Sequence, residues 1–291
     1  MGINSEITAQ GRCRGRCEGR IGEMRIQVGC EFRYLAEVPT HAVVQVEPRL
    51  DGEVLALAEQ WTNEPRLGMS RYMDGFGNTC RRTTIPPGQS SLRYDAVLEL
   101  PGAPDREQLD AQEVRPAELP NDVLVFTLPS RFCPSHDLAN EAWNLFGSLA
   151  PGWRRVQAIC DWVHSEVKFG YLDTLPLATA VDVYERRAGV CRDFAHLAVT
   201  FCRALNIPAR YVFGYLPDIG VPPAADPMDF AASMEVFLGG AWWPFDPRNN
   251  QRRVGRALIA RGRDALDVAM VSTYGGPILE SMTVWADELT D

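Results

Sequence analysis

Ala188-Gly189-Val190-Cys191-Arg192-Asp193-Phe194-Ala195-His196 is the stretch on which the reading of this chain turns. From Cys191 onward, Phe194, Leu197, Ala198, Phe201, Cys202 and Leu205 recur three or four residues apart, the spacing of one apolar helix face. Asn206-Ile207-Pro208 then supplies a stop signal, so a helix opened by Cys191 is predicted. Gly189 permits a sharp turn just before it. A thiol in that place meets unpaired backbone N–H groups and the positive end of the helix dipole, both of which favour thiolate. An activated Cys191 would alkylate well below pH 8, ahead of the other seven cysteines, whereas labelling no faster than an ordinary thiol would speak for a silent protein.

Downstream, the chain reverts to strand patterns at Ala209 to Leu216, Phe230 to Leu238 and Trp242 to Asp246. With Gly239-Gly240 as a two-residue turn, Leu238 faces Ala241 and, counting back, Ser233 faces Asp246. Alternation then groups positions 231, 233 and 235 on one face, with Asp246 diagonal to position 231. A base at 231 could be oriented by Asp246 while aimed at Cys191. Position 231 is alanine, so this is a thiol triad with an empty seat.

Upstream of Cys191, Trp153, Val156, Ile159, Cys160, Val163 and Val167 predict a second helix, with Pro151 in its first turn. Before Pro134 the pattern changes to short apolar runs between turn residues: Met24 to Tyr34, His41 to Val46, Val54 to Leu57, Leu92 to Leu100 and Val123 to Leu128. Asp74-Gly75-Phe76-Gly77-Asn78 reads as a tight connection between two of them. The expected organisation is a disordered basic tail over 1–23, a β-rich region over 24–132, an α+β core with helices packed on an antiparallel sheet over 133–275, and an acidic C-terminal tail over 276–291.

The strings GVCRDFAHLAVTFCRALNIPARYVFGYL and MDFAASMEVFLGGAWWPFDPRNN resemble the transglutaminase-like superfamily, in particular its bacterial members. The resemblance spans roughly 135–275, and the β-rich region with DGFGN is similar to the segment that often precedes that core. It implies a papain-like core whose Cys, His and Asp triad places the Cys at Cys191 and the Asp at Asp246. The family His falls on Ala231 and the Trp after it on Ser233, with Glu235 keeping register. The implied activity is attack on a carboxamide or peptide carbonyl, a thioester on Cys191, and transfer to water or an amine, as in a cysteine protease or acyltransferase. Alanine can neither deprotonate the thiol nor protonate the departing amine, so the reaction should be impaired by about 10² to 10⁴ in rate. The alternative is a catalytically silent relative, a pseudoenzyme, that binds a peptide or protein in the retained cleft.

The histidines offer poor substitutes. His196 lies five residues past Cys191, about 140° around the helix and about 7.5 Å along it, and so points elsewhere. His164 reads as packing or capping late in the preceding helix, while His41 and His136 fall outside the triad strings. Asp226 and Asp229 read as turn residues ahead of the strand.

Composition narrows the partners. A net charge of −9, from 29 basic and 38 acidic residues, argues against a phosphate-binding surface and hence against nucleic acid. No run of about 18 uncharged apolar residues suits a membrane span. The first 25 residues lack the apolar centre of a secretory signal, and the eight cysteines are spread rather than clustered, so a cytoplasmic protein with free thiols is expected. Cys13 and Cys17 have no further ligands nearby, which argues against zinc. No nucleotide, flavin, haem or other cofactor signature is present, and the expected partner is a peptide or protein substrate.

Overall fold

The computed structural model describes residues 22–170, 175–223 and 226–290. The N-terminal strands are β1 (Glu23–Ala36), β2 (Thr40–Val44), β3 (Leu55–Glu64), β4 (Ser70–Met73), β5 (Thr79–Ile85) and β6 (Gly88–Pro101). Alternation drives the longest of them. Ile26, Val28, Cys30, Phe32 and Tyr34 of β1, and Leu92, Tyr94, Ala96, Leu98 and Leu100 of β6, point inward and are buried. Asp74 organises the β4–β5 connection, its carboxylate accepting from the amides of Phe76 and Asn78 at 2.8 Å each.

Among the described residues, α-helices interleaved with strands follow: α1 (Ala139–Phe146), α2 (Trp153–Glu166), β7 (Lys168–Phe169), α3 (Ala180–Arg186), β8 (Ala188–Gly189) and α4 (Cys191–Ala204). The chain then forms β9 (Ala209–Tyr215), β10 (Ala231–Leu238), β11 (Ala241–Phe245), β12 (Ala257–Gly262), β13 (Val271–Tyr274) and β14 (Ile278–Glu288). β9 to β12 make an antiparallel sheet in the order β11-β10-β9-β12. Phe194, Leu197, Ala198, Phe201 and Cys202 of α4 share one core with Met234, Val236 and Leu238 of β10. This is the α+β core that the sequence predicts.

The Gly239-Gly240 turn forms with both residues at positive φ, 59° and 87°, the conformation that a tight two-residue hairpin demands. Its register is the expected one, with Leu238 opposite Ala241 and Met234 opposite Phe245.

Three expectations are corrected. The expected acidic tail over 276–291 forms a strand in its described part: β14 pairs along β1 from Leu35–Ile278 to Ile26–Glu288 and buries Val284 and Ala286, while Glu280, Asp287 and Glu288 stay exposed. The sheet order β14-β1-β6-β3 therefore closes on the far end of the chain, and β13 joins β2 in β13-β2-β5-β4, so strands beyond the core complete both N-terminal sheets. Val123 to Leu128 holds a 3-10 turn over Leu124–Thr127 rather than a strand. Pro151 precedes α2, which starts after Gly152 at φ 101°. The expected basic tail and the Cys13–Cys17 pair lie outside the described residues.

Candidate active site

α4 begins at Cys191, as predicted. Val190 is extended before it, and its N–H donates to the Asp193 carboxylate at 2.9 Å, which ties the turn to the first coil of the helix. Asp193 is fully buried and pairs with Arg192 at 3.0 Å, while Arg192 also donates to the carbonyls of Leu175 and Pro176. These two charges secure the helix start and the loop before it.

The Cys191 sulfur lies against the backbone on either side of Ala231. The thiol approaches the Phe230 carbonyl at 3.7 Å, and the Ala232 amide donates to the sulfur. Cys191 and Ala231 line one cleft of about 230 Å³ together with Asp229, Arg248, Asn249 and Arg253. Arg248 is stacked 4.4 Å above the Phe169 ring at its edge.

Asp246 follows β11 directly, in line with its predicted place opposite Ser233. It does not line the Cys191 cleft. One carboxylate oxygen accepts from the Asn249 side chain and from Arg256, both at 2.9 Å, and the other from the Asn249 amide at 2.9 Å. Arg256 also donates to Ser233 Oγ at 3.1 Å and pairs with Asp105 at 3.0 Å. The guanidinium is buried, which alone would favour its neutral form, but the two carboxylates outweigh that and hold it protonated. The structure thus brings Cys191 and Ala231 together, and Asp246 reaches the cleft through Asn249, which touches both.

None of the four histidines lines this cleft. His196 is fully buried, stacked on Phe132 with ring centroids 5.2 Å apart, and its Nε2 accepts from the Ala265 amide at 3.1 Å. Burial, with Arg192 nearby, pushes its pKa down to about 3, so it stays a neutral acceptor. His164 bonds the Arg248 carbonyl at 2.8 Å, His41 bonds Thr84 Oγ1 at 2.9 Å, and His136 sits beside Asp137 on the surface.

The Cys191 pKa is shifted upward, the direction that goes with an unactivated thiol. Burial pushes the Cys191 thiol up to about 11; the charges of Asp229 and Asp246 push the same way, against the Ala232 amide and Arg248. Burial therefore outweighs the favourable contributions of Arg248 and the Ala232 amide. Asp229, read as a turn residue, lies on the cleft and has its own pKa raised by burial, opposed by the Phe230 amide at 2.7 Å. Arg256 and Asp105 carried no signal in the sequence, because a lone arginine after a loop and an aspartate more than a hundred residues earlier form no motif.

Trp242 and Trp243 do not line the cleft. Trp242 lies under the Arg210 guanidinium at 4.0 Å, and Trp243 donates its indole N–H to the Leu238 carbonyl. Cys160 and Cys202 are buried core thiols, as expected.

Residues 144–247, which include Cys191, Ala231 and Asp246, match the family model described as the transglutaminase-like superfamily. An uncharacterized Mycobacterium leprae protein, ML0607, is 34% identical over 268 residues, covering 87% of this chain and 94% of the relative. The Mycobacterium tuberculosis protein Rv2569c, also uncharacterized, is 26% identical with 84% of each chain covered. Among solved structures, "a Putative Cysteine Protease from Cytophaga hutchinsonii" superposes with a TM-score of 0.83 at 30% identity, covering 93% of this chain and 92% of that one.

Proposed function

Because the chain belongs to the transglutaminase-like superfamily, we propose that its cleft presents Cys191 to the carbonyl of a carboxamide or peptide bond in a bound peptide or protein, and that with Ala231 in the histidine seat it sustains at most a slow thiol reaction. The observation that carries this reading is the sulfur lying between the backbone groups that flank Ala231, in a cleft lined by no histidine. In the full reaction the thiolate sulfur bonds to the carbonyl carbon, and the C–N bond then breaks. The amine leaves with a proton, and water attacks the thioester to release the acid and return the thiol. First-turn amides of α4, at Cys191 itself, are suited to stabilising the oxyanion.

The protein has parts for carbonyl placement and lacks the part that moves protons. A thiol with a pKa near 11 is almost wholly neutral at pH 7, and Asp229 and Asp246 add charges that oppose thiolate. Asp229 is a poor replacement base for that reason. Hydrolysis is the favoured outcome of any residual turnover, since water needs no acceptor pocket.

The second reading, a silent peptide binder, is favoured by the hold of Arg256 and Asn249 on Asp246, which leaves that carboxylate engaged without a histidine to orient. One variant separates the two. Ala231→His should raise amidase turnover of a permissive peptide amide by about 10² to 10⁴ over the parent, the worth of a positioned general acid–base. A folded Ala231→His protein with no gain means that Asp246 cannot orient the imidazole, and the silent reading stands. A cytoplasmic location belongs to this proposal as well, supported by the free thiols of the described cysteines, which suit a reducing compartment. No helix of the described residues is long and apolar enough to cross a membrane.

A further inference from the structure

Cys191 borders a second cavity besides the charged cleft. Its volume is about 410 Å³, and Phe132, Tyr211, Phe213, Phe230, Val268 and Met270 wall it. Cys191, Asp229, Phe230 and Ala232 line both cavities, so the apolar one adjoins the site at the sulfur. Sheet register builds it: Ala232 of β10 lies opposite Phe213 of β9, and Phe213 meets Phe230 edge-on at 5.7 Å. A volume in this range suits an organic side chain rather than a few waters.

Tyr211 is a polar residue of the wall, as are Arg192 and Asp229. It is only 5% exposed, and its ring packs 5.0 Å from that of His196. Burial, and then the nearby Cys191 thiol, hold the phenol protonated. A phenol O–H in such a wall can donate to an acceptor on a ligand that enters the cavity.

We propose that this cavity receives a bulky apolar side chain, of phenylalanine or leucine type, from the peptide bound at Cys191, and that the Tyr211 hydroxyl donates to a backbone carbonyl of that peptide. The inference rests on the Cys191 cleft being a peptide site, and it names the class of peptide. Tyr211 acts as an anchor for the bound chain and takes no part in bond making.

The test uses the intact protein and three alkylating probes: bromoacetamide, bromoacetyl-phenylalanine amide and bromoacetyl-aspartate amide, with labelling of Cys191 followed by peptide mass spectrometry. The phenylalanine probe should saturate and label at least about tenfold faster than bromoacetamide, the order expected for burying one aromatic side chain. The aspartate probe should gain nothing. Tyr211→Phe should cut the phenylalanine advantage, taken as the ratio to bromoacetamide on the same variant, by about fivefold, the worth of one hydrogen bond. Equal rates for the two amino-acid probes, or a Tyr211→Phe protein indistinguishable from the parent, would overturn the proposal. So would a bromoacetylated dodecylamine that outpaces the phenylalanine probe, since it would assign the cavity to a lipid chain. The phenylalanine preference is read without turnover. If it persists while Ala231→His gains no amidase activity, the acyl-chemistry reading fails and the pocket assignment survives.

Discussion

At the scale of single residues, burial decides the chemistry more than position along the chain. Cys191 was legible from its place at a helix start, and Asp246 from hairpin register, because both follow from local periodicity. The pKa of the thiol was not, since it depends on residues of other elements that close over the sulfur, Asp229 among them. His196 shows the same effect with a measurable consequence. Its folded-state pKa of about 3 lies below the ordinary 6.5, so between those values the unfolded chain binds the extra proton. Stability is therefore full above about pH 6.5 and falls as the pH drops toward 3, by up to several kcal/mol. Urea unfolding of a His196→Gln variant should show a shallower acid slope than the parent over that window; parallel curves would rule this group out as the source.

Arg256 gives the counterpart for a buried cation. It is the shared partner of Asp105 and Asp246, with all three side chains largely buried. Arg256→Met should cost about 3 to 5 kcal/mol in urea unfolding, because it strands two buried carboxylates. A loss under about 1 kcal/mol, the level of an exposed pair, would show that solvent reaches the cluster.

At the scale of elements, α4 carries the site, and its start is fixed by close packing of the turn before it. A Cβ at Gly189 would meet the Asp193 carboxylate at 2.7 Å and its Cβ at 2.6 Å, the same side chain that holds the Val190 amide. Gly189→Ala should therefore destabilise the protein by about 1 to 3 kcal/mol, as overpacking does, and shift the chemical shifts of residues 190–194 in a heteronuclear NMR spectrum. An unperturbed spectrum would mean that the turn can yield without moving the helix. The helices and the β9–β12 sheet were readable because each repeats its apolar residues at one period. Val123 to Leu128 was misread because six apolar-rich residues fit a strand as well as a turn packed on Phe237, and only tertiary contact distinguishes them.

At the scale of the whole molecule, the two ends of the described chain lie side by side, β14 on β1, an arrangement that no local pattern announces. Glu280, Asp287 and Glu288 suggested a tail, and the alternation of Val284 and Ala286 between them was too short to outweigh the charge. Deleting residues 276–291 should strip β1 of one neighbour and lower the thermal midpoint by several degrees or more, given that a loss of about 1 kcal/mol already shifts a domain of this size by about 2 to 4 °C. An unchanged midpoint would show the strand to be dispensable. The proposed function has the rest of the molecule hold a transglutaminase-like cleft in place around a thiol without a base, and the pH dependence of Cys191 alkylation by iodoacetamide tests that claim most directly. The rate should climb about tenfold per pH unit from pH 6 through pH 9 without levelling, as a thiol titrating near 11 requires; a plateau reached below pH 8 would mean that the thiolate is already formed and that some group in the cleft supplies what alanine cannot.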